Sequence, residues 1–394
     1  MKKTFLLSCL MLAAMPVMAA YTGHVYVDKN KNGVFDQSEK PLAGIKVSDG
    51  LNVVETAADG SFTLPGHERE RFIFITTPSG YKTFNRHYHK IEKKQSGYDF
   101  GLIPYSGRIR KNGSHRYIHI ADTEIFNTEN HADWVNNVRD YARNEQAAFI
   151  IHTGDICYEK GLKAHIKLMN TENMDCPVFY CIGNHDLVKG KYGEELFESI
   201  YGPVYYSFDA GNVHYVVTPM PGGDHAPGYT SDDVCRWLKN DLAHIRPGTP
   251  VVVFNHDLLT YEDTFIFKSK NAGSINLNEY NLKAWVYGHW HINYMKKQGD
   301  VYSVCTSSLD KGGIDHSTTA FRVMHVDSKG DFTSELRYTY LDKNICIASP
   351  AGVMASGVLP VAVNVYSSVS PVREVLYTLS LIHISEPTRP ISIS

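Results

Sequence analysis

The sequence predicts an α/β layered core flanked by helices, set between an N-terminal all-β sandwich and a partial C-terminal all-β domain. Three observations carry this. Residues 21–105 hold short strand-like runs broken by turn residues, with no helical period. Between about 112 and 318, apolar runs alternate with amphipathic stretches, as buried strands alternate with helices in a layered fold. From 319 to 379 the short-strand pattern returns.

Composition narrows the classes. At 394 residues the chain exceeds one ordinary domain, and 43% hydrophobic residues can form a sizeable core. The net charge is −3, with Lys and Arg scattered, so no basic block exists to neutralise a nucleic-acid backbone. A nucleic-acid polymer is therefore not an expected partner.

The first element, residues 1–20, reads as a signal peptide. Lys2 and Lys3 form a positive start, Phe5 to Met15 is apolar, and Val17-Met18-Ala19 offers small residues for cleavage. That apolar run is shorter than the roughly 20 residues a bilayer span needs. The expectation is a periplasmic or secreted mature chain with no membrane span. Cys157, Cys176, Cys181, Cys235, Cys305 and Cys346 lie beyond the leader and lack CxxC spacing, which disfavours a structural zinc site. Spacing leaves their pairing open, except that Cys176 and Cys181 would sit about 16 Å apart on an extended segment, too far to bridge.

In the N-terminal unit, strands are expected at Gly23–Val27, Ile45–Val47, Ser61–Leu64 and Phe72–Thr76. Between the first two, residues 28–39 match the calcium-loop spacing D-x-[DN]-x-[DN]-G-x5-E. The ligands would be Asp28, Asn30, Asn32, Asp36 and Glu39 with the Val34 carbonyl, and Gly33 would permit the sharp turn. The flanks read as strands rather than paired helices, and Pro41-Leu42-Ala43-Gly44-Ile45 resembles the calcium-holding repeats of bacterial surface adhesins. A structural ion site is expected there, without a part in catalysis.

The core strands are Tyr117–Ile120, Phe149–His152, Val178–Ile182 and Val251–Phe254, with helices over Asp133–Gln146, Gly161–Met174 and Asp232–Ile245. Beyond them, Phe321–Val326 and Phe332–Tyr340 open the last β domain. Val361–Tyr366 and Val372–Tyr377 read as a hairpin. Residues 380–394 have no period and resemble the translation of a sequencing adapter, so they are read as an artefactual or disordered tail and the domain before them as truncated.

Polar residues stand where core strands end, the edge at which layered α/β sheets gather ligands. They are Asp122, Asp155 in Gly154-Asp155, Asn184-His185-Asp186 after Gly183, His256, and His289 and His291 in Gly288-His289-Trp290-His291. Each alone could be a turn or a polar cap; their joint order is specific.

Residues 115 to about 315 resemble the calcineurin-like metallophosphoesterases, whose pattern is D-x-H, G-D, G-N-H-[DE], H and G-H-x-H. The flanking units resemble the modules that accompany this core in exported bacterial members. The resemblance implies a β-sandwich core flanked by helices and hydrolysis of a phosphate monoester or diester by a hydroxide held between two divalent ions. It makes Asp155 the bridging carboxylate. Asn184, His256 and His289 would hold one ion, Asp122 and His291 the other. His185 would contact the phosphoryl oxygen or protonate the leaving group, fitting for a side chain that titrates near neutrality. Oxygen and imidazole donors suit manganese, iron or zinc. His289 and His291, two apart, would point the same way on an extended chain.

One block departs. The chain has Asp122-Thr123-Glu124 where the family has D-x-H. Either Glu124 replaces the imidazole as a ligand, or it points away and leaves that ion weakly held. In the second case the protein would be a weakened enzyme or a surface or ligand-binding protein. The loop around His225 and the segment around His316 are expected near the mouth of the site. A serine hydrolase is disfavoured, because no G-x-S-x-G elbow occurs.

Overall fold

The computed structural model describes residues 20–315, 317–340, 343–349, 360–367, 372–376 and 391–392. The leader and most of the tail lie outside the described residues, as does His316. No helix among the described residues is long and apolar enough to cross a membrane.

The N-terminal unit is a sandwich of two small sheets. One centres on Tyr21–Val27, paired with Lys40–Pro41, Ser61–Leu64 and Phe100–Pro104. The other runs Val53–Glu55, Lys46–Ser48, Phe72–Ile75, Tyr88–Lys90. Strand alternation turns Val25, Phe62, Leu64, Phe100 and Leu102 of one sheet toward Val47, Ile73 and Ile75 of the other, forming a separate apolar cluster.

The core is a larger two-sheet sandwich. Its first sheet runs Val178–Tyr180, Phe149–His152, His115–Ile120, Ala320–Val326, Phe332–Tyr338, the first three parallel. The second runs Tyr206–Ala210, Val213–Val217, Val251–Phe254, Leu282–Tyr287, Val301–Cys305, Tyr294–Gln298, with parallel pairing through its middle. Phe149–His152 and Val251–Phe254 are buried at every position, which explains their unbroken apolar runs. Tyr117, Phe149, Phe179, Phe208, Tyr215 and Phe254 interlock between the sheets, with Phe179 stacked on Phe208 at 3.7 Å. Helices Ala132–Asn144, Tyr158–Leu168 and Ser231–Leu242 bury one apolar stripe each against this body.

Three expectations change. Ala320–Val326 pairs antiparallel with His115–Ile120, so residues 320–338 complete the core sheet instead of opening a new domain. Period-two patterning identifies a strand but not its partner, which here lies some two hundred residues back. Second, Ala362–Ser367 pairs with Lys343–Ser349, and Glu374–Val375 with Ile391–Ser392, so the described parts of the two strands expected to form a hairpin pair with other strands; residues 368–371 between them lie outside the described residues. Third, the long helix expected over Gly161–Met174 is two helices, Tyr158–Leu168 and Thr171–Met174. Asn170 breaks it by capping the second with its side chain.

The sandwiches dock through apolar packing, in which Val53, Phe72, Phe74 and Tyr88 join the main core, and through polar contacts. Arg71 pairs with Glu194 at 2.8 Å and Glu198 at 3.3 Å. Thr76 bonds Ser207, which donates to buried Asp241. Asp241 and Asp209 flank the buried His214 ring at 2.7 Å each, and burial opposes its charge, but the two carboxylates push its pKa up to about 9.

Candidate metal centre

Parallel pairing in both sheets brings the predicted polar residues to one edge of the sandwich. Asp122 follows His115–Ile120, Asp155 follows Phe149–His152, and Asn184 and His185 follow Val178–Tyr180. From the second sheet, His256 follows Val251–Phe254, and His289 and His291 follow Leu282–Tyr287. Backbone hydrogen bonds stitch these ends together: Asp122 N–H to Gly154 O, Glu124 N–H to Asp155 O, Tyr158 N–H to His185 O, and Gly288 N–H to His256 O.

The backbone is strained at the same places. Asp122, Glu124, Asp155, His289 and His291 all have φ between 44° and 67°, the left-handed region that side chains with a Cβ rarely adopt. Such conformations persist where surrounding structure enforces them, and they cluster at functional sites. The extended-chain argument for His289 and His291 therefore does not hold. Two left-handed turns, not strand alternation, direct these rings. Gly183 is required by contact: a Cβ there would lie 2.2 Å from Asp155 Oδ1.

The donors form two neighbouring groups. Donor atoms of Asp155, His256 and His289 all lie within 4.8 Å of one another. Asp155 Oδ1 accepts from His185 N–H at 3.0 Å, and Oδ2 lies 3.1 Å from His256 Nε2. His256 donates from Nδ1 to Thr153 O at 2.6 Å, which fixes the tautomer and leaves Nε2 as a lone-pair donor. In the second group, His291 Nε2 lies 3.4 Å from Asp122 Oδ1 and 3.5 Å from Glu124 Oε1. Asp122 also accepts from His289 N–H at 3.1 Å. Glu124 thus faces the site, and its other oxygen is paired with Lys311 Nζ.

These residues fit divalent ions. Asn184 Oδ1 is buried without a hydrogen-bond partner, which is costly unless a cation takes the lone pair, and buried His256 Nε2 has the Asp155 carboxylate beside it at 3.1 Å. Asp122 and Asp155 are almost wholly buried carboxylates, and the charge of Asp155 acts on Asp122. Burial pushes Asp122 above the usual carboxylate range, with the His291 hydrogen bond working the other way. Burial opposes the charge of His256, but Asp155 and Asp122 outweigh it and raise the imidazole to about 10, so a cation taking Nε2 would displace a proton from it.

His185 stands apart from the donor groups. Its Nδ1 donates to Asp224 Oδ2 at 2.8 Å, and its ring packs 5.2 Å from that of Tyr158. Partial burial lowers its pKa, yet the Asp224 bond and the Asp155 charge prevail and the net shift is upward. Asp224 was missed from sequence, although its loop was expected at the mouth. The available signal was Gly222-Gly223 before it: a Cβ on Gly223 would lie 2.4 Å from Asn184 O. Asp186 was named in its motif block but given no role. Buried, it accepts from Gly183 N–H at 2.9 Å and Cys157 N–H at 2.8 Å and so locks two motif loops together. The segment before His316 is near, as expected, since Ile314 N–H donates to His291 O at 3.0 Å. His225 lies exposed in the Asp224 loop. A cleft of about 650 Å³ lies elsewhere, lined by Tyr81, His87, Tyr105, Phe179 and Tyr206, and contains none of these donors.

The loop at 28–39 is compact. Buried Asp28 accepts from Asn32 N–H at 3.2 Å and Gly33 N–H at 2.9 Å, with Gly33 at φ 73°. The Asn30 and Asn32 amides both donate to Asp36 Oδ2, at 2.7 and 3.0 Å. Glu39 closes the loop by accepting from Lys29 N–H at 2.8 Å and Asp36 N–H at 3.2 Å. Its flanks, Tyr21–Val27 and Lys40–Pro41, are paired strands. Five cysteines, Cys157, Cys176, Cys181, Cys235 and Cys305, are buried free thiols.

Carboxylate, amide and imidazole donors at the parallel-strand edge of an α/β sandwich define a protein built to hold divalent metal. Comparison with known proteins supplies the family. The description "N terminal of Calcineurin-like phosphoesterase" matches residues 29–104, and "Calcineurin-like phosphoesterase" matches residues 115–293. The chain belongs to the calcineurin-like phosphoesterases. Purple acid phosphatase 13 of Arabidopsis thaliana is 29% identical over 142 residues, 33% of this chain. The chain spans only 25% of the length of that relative. Among solved structures, a dimetal phosphatase from Danio rerio is 12% identical, with 56% of this chain covering 98% of it at a TM-score of 0.38. An archaeal phosphodiesterase is 13% identical, with coverages of 56% and 99% and a TM-score of 0.29. Neither of these two likenesses bears on function.

Proposed function

We propose that the protein is a phosphoric ester hydrolase that works with a pair of divalent ions, manganese, iron or zinc, on a phosphorylated small molecule outside the cytoplasm. The observation that carries this is the meeting of five motif blocks at one edge of the sandwich, where buried Asn184 Oδ1 has no hydrogen-bond partner and His256 Nε2 faces Asp155 Oδ2 at 3.1 Å. Asn184, His256 and His289 would hold one ion, Asp122, His291 and Glu124 the other, with Asp155 shared between them. Bound there, the ions would acidify water and offset charge on the phosphoryl oxygens. The chain's own residues do the rest. The strained turns fix the donors before substrate arrives, and the raised pKa of His185 keeps a proton available for the leaving oxygen. Asp224 holds that ring by Nδ1, so the proton offered to the leaving oxygen would be the one on Nε2.

The test is a panel of aryl monophosphate and bis-aryl phosphate with added manganese, iron or zinc. Turnover with at least one ion, abolished by chelator and restored by metal, is expected. Inertness of the full chain across all three metals would instead favour a ligand-binding protein with a degenerate site at Glu124. Export rests on the leader pattern of residues 1–20. Amino-terminal sequencing of the protein from its native host should begin beyond that leader, and an intact Met1 would exclude cleavage.

We also propose that the loop at 28–39 binds calcium through Asp28, Asn30, Asn32, Val34, Asp36 and Glu39 and stabilises the N-terminal sandwich. Calcium should raise the melting temperature without changing turnover, and Asp28→Ala with Glu39→Ala should remove the response. A calcium response that survives both substitutions would place the ion elsewhere.

A further inference from the structure

Where the family pattern has an imidazole this chain has Glu124, and a compensating charge comes from far along the sequence. Lys311 Nζ donates to Glu124 Oε2 across a separation of 187 residues. Glu124 Oε1 lies 3.5 Å from His291 Nε2, so one carboxylate faces a metal donor and an ammonium at once. Both ends are fixed. Glu124 is held at φ 44° by its N–H bond to Asp155 O. Lys311 N–H donates to Ser308 Oγ at 3.1 Å, and the segment that follows is anchored to His291 O through Ile314 N–H. The ammonium also lies 6.0 Å from the Phe126 ring centroid. Its side chain keeps 44% exposure, open to an incoming anion.

The two donor groups are correspondingly unequal. Asp155, His256 and His289 are the one group of three such donors within 4.8 Å of one another among the described residues; Asp122, Glu124 and His291 are spread more widely. An ammonium bonded to Glu124 competes with a divalent ion for the same carboxylate and repels that ion through space. A lysine ammonium is also a compact point charge suited to a phosphate oxygen.

We propose that Lys311 is a fixed cation of this centre: it weakens the Asp122–Glu124–His291 position for a divalent ion relative to the Asp155–His256–His289 position, and it binds an oxygen of the substrate phosphate. The second half rests on the hydrolase reading; the first does not. Glu124 is then a shared ligand, neither a plain replacement for the imidazole nor a residue turned away.

Calorimetric titration of the full chain with manganese, followed by titration of the loaded protein with inorganic phosphate, tests both halves. The wild type should show one tight ion and a second weaker by about tenfold or more, as expected for one competing unit charge at short range. Lys311→Met should tighten the second ion by about tenfold and weaken phosphate by a similar factor, whereas Lys311→Arg should retain the wild-type isotherms. Melting curves confirm that each variant is folded. A Lys311→Met isotherm identical to wild type overturns the metal half, and unchanged phosphate affinity overturns the substrate half. If the wild type hydrolyses no ester yet Lys311→Met equalises the two ions, the hydrolase reading fails and the charge pair stands.

Discussion

Asp155→Ala should abolish hydrolysis and empty the centre of metal. Asp155 is the carboxylate proposed to be shared by both donor groups. Its Oδ2 lies 3.1 Å from His256 Nε2, and it sits in the tight group with His256 and His289. Its Oδ1 also accepts the His185 N–H, so its loss loosens the loop that carries Asn184 and His185. The fall in rate should reach at least about 10³-fold, the upper range for removing one preorganised electrostatic group. Metal analysis of the purified variant should show loss of both ions. Retention of wild-type metal content would mean that another residue bridges the groups.

His185→Ala should leave metal bound and cut turnover by about 10²- to 10⁴-fold, the scale of general acid–base catalysis. His185 belongs to neither donor group and is tethered to Asp224 instead. Burial lowers the pKa of His185, but the Asp224 bond and the Asp155 charge raise it more. The proton it would donate is present below that raised pKa and lost above it. The wild-type rate should therefore decline on the alkaline side, and the variant should lose that decline. Asp224→Asn should shift the decline to lower pH with a smaller loss of rate. If His185→Ala empties the site of metal, its role is ligation and not proton transfer.

The parts legible in sequence share a cause. Buried parallel strands leave unbroken apolar runs, as at Phe149–His152 and Val251–Phe254, and their carboxyl ends mark the site edge without any three-dimensional information. Among the described residues, Asp122, Glu124, Asp155, Asn184, His256, His289 and His291 of the motif blocks come to that edge. Pairing was less legible. Ala320–Val326 reads as a strand by its alternation, but nothing local says that it closes the first core sheet beside His115–Ile120. Residues that act through long-range contacts were hidden for the same reason. Lys311 is one scattered lysine among many until the fold sets it against Glu124, and Asp224 is a loop aspartate until it meets His185. The left-handed backbone at His289 and His291 was invisible because a strand-end histidine is ordinarily extended, and only tertiary hydrogen bonds impose the alternative.

The central claim is that the strand-end residues hold two divalent ions of unequal affinity. Anomalous X-ray diffraction at the manganese edge, from crystals of the full chain soaked in manganese, tests it most directly. Two peaks are predicted: one of full occupancy among Asp155, Asn184, His256 and His289, and one of lower occupancy among Asp122, Glu124 and His291, with Asp155 in contact with both. A map with no peak in contact with Asp155, or with manganese only at residues 28–39, would contradict the account.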